Sequence, residues 1–148
     1  MESQLEYIYE TDFSLKTDKL YTSWLVSCSN HYGVHSLFLA YAFMDDDALH
    51  ALNLKHLKHD TLTDIITFDD SVGKDINANI AISIDRVKAN ALTYSISFDT
   101  ELLRVMSHGL LHCLGFSDKT SAEAQAMRTE EDVCINLFHV EHKNTKDV

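Results

Sequence analysis

The sequence predicts an α+β fold: a single layered domain in which a mixed sheet of about four strands is covered by helices. Two observations lead there. Segments with the two-residue period or the β-branched composition of strands are interspersed with helical segments, without the strict alternation of a parallel α/β protein. The chain has 148 residues and is 45% apolar, enough for one domain with a real core. Residues 1–148 show no linker, repeat or low-complexity stretch that would divide them.

The elements follow in chain order. Residues 5–10 (LEYIYE) alternate like a strand. Residues 15–32 form an amphipathic helix with Leu20, Trp24 and Leu25 on its apolar side and Gly33 past its end. Residues 36–44 (SLFLAYAFM) are a strand too apolar for an exposed edge. Asp45, Asp46 and Asp47 open a short helix to about Leu54. Consecutive helical acids point in different directions, so this tract is a solvated helix start and not a metal site. Residues 63–68 (TDIITF) and 79–84 (NIAISI) are two further strands, and residues 85–94 are helical. Ser97 or Asp99 caps a helix that runs to Leu114. Thr120 and Glu123 have capping-box spacing for a last helix, which is expected to end near His139.

Charge and composition exclude several function classes. No apolar run approaches the ~20 residues that span a bilayer, so no membrane partner is expected. The N-terminus lacks the basic and apolar segments of a signal peptide, which predicts a cytoplasmic protein with reduced thiols at Cys28, Cys113 and Cys134. The net charge is −11, against the basic footprint usual for a nucleic-acid module. It is uneven: residues 1–54 hold 8 acids and 2 bases, whereas residues 55–119 hold 9 acids and 7 bases. A local basic cleft is compatible with that middle segment. Strong non-specific binding to duplex nucleic acid is not.

The chemistry concentrates at residues 104–119. His108 and His112 lie four apart on a helix, which puts both imidazoles on one face about a turn apart, as in helical zinc sites. Gly115 ends the helix, and Asp118 follows where a returning chain can supply a third ligand. The pattern reads as an open site for one zinc ion per chain, held by His108, His112 and Asp118. The competing readings are a packed or surface histidine pair, and Asp118 as a turn residue. Gly109 stands where peptidases of the His-Glu-x-x-His type carry their general base, which argues against peptidase chemistry. It leaves room beside a metal or allows close packing on the sheet. Cys113 is offset by ~100° from His112 and belongs to the core. His31, His35, His50, His139 and His142 form no ligand cluster, and His139 and His142 read as a surface pair. Asp64 is a candidate to hydrogen-bond a ligand histidine. Phe68, Tyr94 and Phe116 are expected in the core rather than as stacking platforms.

His108-Gly109-x-x-His112-x-x-Gly115-Phe116-x-Asp118 resembles the motif of the YbeY family, bacterial ribosomal-RNA maturation factors and single-strand-specific endoribonucleases. That family shows His-Gly-x-Leu-His-Leu-x-Gly-Tyr-Asp-His. Leu52–Asn53 followed by residues 60–68 (DTLTDIITF) is similar to its Leu-Asn…Asp-x-Pro-Thr-Asn/Asp-Val-Leu-Ser-Phe segment, and residues 79–83 (NIAIS) take the place of its Gly-Asp-Ile strand. Order and spacing match from about residue 36 to residue 138. Three positions depart from the pattern. Asp118 stands for the third histidine, Leu57 for an arginine (with His56 for the tyrosine before it), and Ala78–Asn79 for Gly-Asp.

The resemblance implies a zinc-dependent endoribonuclease acting on single-stranded rRNA in 16S rRNA 3′-end maturation and ribosome quality control. It implies partners on the small ribosomal subunit, including a ribosomal protein and a ribosome-associated GTPase. Leu57 cannot contact a phosphate as the family arginine would. His59, with Lys58 or Lys119, is the candidate replacement; solvated surface residues are the alternative. The missing arginine also keeps open a non-catalytic ribosome-assembly factor with a structural metal. A metal-dependent peptidase is the third reading.

Overall fold

A computed structural model describes residues 1–57 and 63–146. Lys58 and His59 lie outside the described residues. The elements are β1 (Glu2–Tyr9), α1 (Asp18–His31), β2 (Ser36–Met44), α2 (Asp46–Leu52), β3 (Ile65–Asp69), β4 (Asp75–Ser83), α3 (Ile84–Tyr94), α4 (Phe98–Cys113) and α5 (Ser121–Lys146). The sheet order is β1-β2-β4-β3, with β1 and β4 parallel to β2 and β3 antiparallel to β4. This is the mixed four-stranded sheet expected from the sequence.

β2 lies inside the sheet, which accounts for its apolar run. Leu37, Leu39, Tyr41 and Phe43 point into the main core, while Phe38, Ala40 and Ala42 face the other side half-buried. Full burial of such side chains stabilises by roughly 1.5–3 kcal/mol each as an upper estimate. α1, α3, α4 and α5 contribute Trp24, Val87, Met106 and Cys134 to the same core. On the opposite face α2 covers only one end, packing Leu49 on Met44, Ile66 and Ala81. Among the described residues no helix is long and apolar enough to cross a membrane.

Several boundaries differ from the sequence expectation. β4 begins at Asp75, not near residue 79. Its first half alternates exposed Asp75 and Asn77 with buried Ile76 and Ala78. Asp and Asn are poor strand formers; pairing with β2 and a tight turn at Gly73 (φ 58°) hold them extended. β3 starts at Ile65, two residues into the expected segment. α2 stops at Leu52 and continues as a π-helical turn over Asn53–Leu57. α5 runs past His139 to Lys146. Its start is the reciprocal capping box, with Thr120 N donating to Glu123 Oε1 (3.2 Å) and Glu123 N to Thr120 Oγ1 (3.1 Å). Two aromatic and histidine assignments also change. Tyr94 is exposed at the end of α3, and His142 is buried against the Phe138 ring, with centroids 4.2 Å apart.

Candidate metal centre

α4 is fixed before it presents any ligand. Ser97 caps it, its Oγ accepting from Thr100 N at 3.0 Å. The buried Tyr41 hydroxyl donates to Met106 O at 2.9 Å and ties the helix to the sheet two residues before His108. Gly109 faces β4 closely: a Cβ there would lie 2.8 Å from Ile80 Cδ1 and 3.2 Å from Ile65 Cδ1. Of the two readings of this glycine, the geometry selects close helix–sheet packing. Gly115 (φ 100°) then takes a conformation open mainly to glycine and turns the chain toward Asp118.

The three candidate ligands come together. His108, His112 and Asp118 each offer a ligand atom within 4.8 Å of the others. Asp118 Oδ2 is 3.4 Å from His108 Nε2 and 3.7 Å from His112 Nε2. Both Nδ1 atoms are already engaged. His108 Nδ1 lies 2.6 Å from Glu131 Oε2, and His112 Nδ1 lies 3.0 Å from the Phe116 carbonyl oxygen. When each Nδ1–H donates to its oxygen, each Nε2 lone pair is free and aimed at the cluster. Two imidazole nitrogens and a carboxylate, with an open side, suit a divalent metal of the zinc type.

Glu131 is the functional residue that sequence reasoning missed. Its other oxygen accepts from Arg104 Nη1 at 3.0 Å, while Arg104 Nη2 donates to Asp132 Oδ1 at 2.9 Å. Met127, Glu131 and Cys134 share the buried stripe of α5, so a charged residue on an apolar face was the available signal. Burial pulls the His108 imidazole down, but the hydrogen bond to Glu131 and the charges of Glu131, Asp118 and Asp64 outweigh it, and the net direction is up. Asp64 makes no hydrogen bond to either histidine. It accepts from Asn90 Nδ2 at 3.4 Å, and burial raises its carboxyl.

Two cavities flank the cluster. One, of about 500 Å³, lies along β3 between Leu57, Asp69, His112 and Asp118. The other, of about 260 Å³, lies among α3, α4 and α5 and touches His108 and Asp118. Lys119 is exposed beside the third candidate ligand. Cys113 is buried, as expected of a core residue.

The chain is similar over nearly its whole length to one protein family. The family profile for endoribonuclease YbeY matches residues 6–139. A protein of Flavobacterium johnsoniae named endoribonuclease YbeY is 44% identical over 137 residues, which cover 93% of this chain and 99% of that relative. One of the same name from Christiangramia forsetii is 40% identical, covering 95% of this chain and 98% of the relative. A solution structure from Thermotoga maritima shares the fold, with a TM-score of 0.69 and 23% identity over 96% of this chain and 93% of its own. The chain therefore belongs to the endoribonuclease YbeY family.

Proposed function

We propose that this endoribonuclease cuts single-stranded rRNA with one zinc ion held by His108, His112 and Asp118, in 16S rRNA 3′-end maturation and ribosome quality control. The observation that carries the reading is the pair of engaged Nδ1 atoms, which leaves both Nε2 atoms facing Asp118 Oδ2. A bound zinc supplies Lewis acidity, activating water near neutral pH and offsetting charge at the phosphate. The protein's own part is to hold the donor set rigid and to place cations against the phosphate. Leu57 lines the cavity beside the cluster where the family pattern has an arginine. Lys58 and His59 follow it in the chain, and with Lys119 they are the proposed phosphate contacts.

Membership and the donor set support a cleavage test. The zinc-loaded protein is expected to cut a single-stranded rRNA 3′-end substrate, with activity lost in His112→Ala. An intact substrate under zinc would contradict the reading. The double variant Lys58→Ala/His59→Ala is expected to abolish single-strand binding; unchanged binding would remove these residues from the site. The net charge of −11 suits docking on a basic ribosomal protein of the small subunit. A ribosome-associated GTPase as a further partner, and a cytoplasmic location, belong to the same proposal.

Leu57 favours one second reading, a non-catalytic ribosome-assembly factor that keeps the metal for stability. Unchanged rRNA processing in His112→Ala cells, with processing lost on deletion, would select it. The peptidase reading loses support because Gly109 packs on Ile80 and offers no general base.

A further inference from the structure

The cavity among α3, α4 and α5 adjoins the candidate ligands His108 and Asp118. Its volume of about 260 Å³ falls just under the range of about 300–1,000 Å³ that holds drug-sized ligands, so it suits one flat ring system. We propose that it is a nucleobase subsite that takes a base with an exocyclic amino group, beside the phosphate to be cut, and that it discriminates against uracil. The proposal rests on the endoribonuclease reading of the metal centre.

The walls are rich in acceptors. Asp64, Glu101, Asp118 and Glu131 stand against Arg104 and Arg128. Asp118 and Glu131 face the histidines, and Arg104 is committed to Glu131 and Asp132. Apart from the exposed Arg128, what remains is acceptor capacity. Glu101 is 3% exposed, and among the described residues its Oε1 has no hydrogen-bond partner; it is paired with Arg104 Nε by charge alone, at 4.0 Å, too far for a hydrogen bond. Asp64 accepts at 3.4 Å from Asn90, whose amide is a further acceptor and donor on the wall. An excess of carboxylates repels a phosphate but welcomes N–H donors. Cytosine, adenine and guanine each carry an amino group for such a carboxylate. Uracil offers one N–H between two carbonyl oxygens, which would face the acids. Tyr94 adds an aromatic face to the same wall and is 56% exposed, which suits stacking on a base.

Cytosine and uracil have the same size and differ at this edge alone, so they make the cleanest probes. Binding of 2′-O-methyl oligo(C) and oligo(U) to the zinc-loaded full chain is read by fluorescence anisotropy. Oligo(C) is expected to bind about tenfold tighter, since a mismatched edge leaves buried acceptors unpaired. Asp64→Asn, whose amide donates as well as accepts, is expected to narrow that gap by raising oligo(U) binding. Tyr94→Ala, an exposed position that leaves the core intact, is expected to weaken oligo(C) binding about tenfold. Equal binding of the two oligomers by the wild type, or a C/U ratio and affinity untouched by both variants, would overturn the subsite. Cleavage of unmodified RNA is followed in parallel. Cleavage without base discrimination rejects the subsite alone, whereas discrimination without cleavage rejects the catalytic reading.

Discussion

At the scale of single residues, the candidate centre depends on hydrogen bonds to the histidine nitrogens that face away from the ligand cluster. Glu131 holds His108 through a 2.6 Å contact and is held in turn by Arg104. Such outer partners fix the tautomer and orientation of a ligand, and their loss commonly costs about 10–100-fold in metal affinity. Glu131→Gln keeps the shape but removes the charge. It is expected to weaken zinc binding by about that factor in a competition titration against a chromophoric chelator; unchanged affinity would reduce Glu131 to a packing role. The clustering of His108, His112 and Asp118 was legible in the sequence because they are local, joined by one helical turn and one glycine. Glu131 was not, because its contact crosses from α5 to α4 and only folding makes it. Tyr94 and His142 were misplaced for a related reason: an aromatic or a histidine near a helix end has no local pattern that fixes its burial.

Among the elements, α4 and its bed on the sheet decide how precisely the ligands are placed. Gly109→Ala gains about 1 kcal/mol of helix propensity. It also forces a methyl group to within 2.8 Å of the buried Ile80 Cδ1, and overpacking typically costs about 1–3 kcal/mol. The net expectation is destabilisation by about 1 kcal/mol in urea unfolding, and a stabilised variant would contradict the packing explanation. The junction of α2 with β4 and α3 gives a pH prediction. Burial alone would raise the Asp46 carboxyl, but hydrogen bonds from Arg86 and Ser83 outweigh it and the net direction is down. Its contribution to stability is therefore full above the ordinary aspartate value of 3.8 and is lost as the pH falls through the lower folded value. Asp46→Asn should be less stable than the wild type near pH 7, and the difference should close as the pH falls past the ordinary aspartate value of 3.8 and through the lower folded one; a difference constant with pH would exclude this ion pair as its source. Long periodic elements such as α4 and β2 were readable from the chain. The polar first half of β4 was not, since pairing with β2 rather than local propensity makes it a strand.

For the whole molecule, a metal bound at the candidate centre would link the site to stability. The candidate ligands come from α4 and from the turn before α5, so a bound ion ties the two segments together. Zinc at about a thousand times its dissociation constant would add about 4 kcal/mol to the folded state. For a chain of this length that corresponds to a rise in Tm of about 8–16 °C. Calorimetry of the chelated protein, with and without added zinc, is expected to show this rise in the wild type and its loss in His108→Ala. Equal melting of the two wild-type forms would mean that the segments are not bridged.

The most direct measurement is elemental analysis of untagged protein, wild type beside Asp118→Ala. About one zinc per chain is expected in the wild type, and its loss in the variant. A wild type without zinc, or a variant that keeps it, would contradict the His108–His112–Asp118 centre.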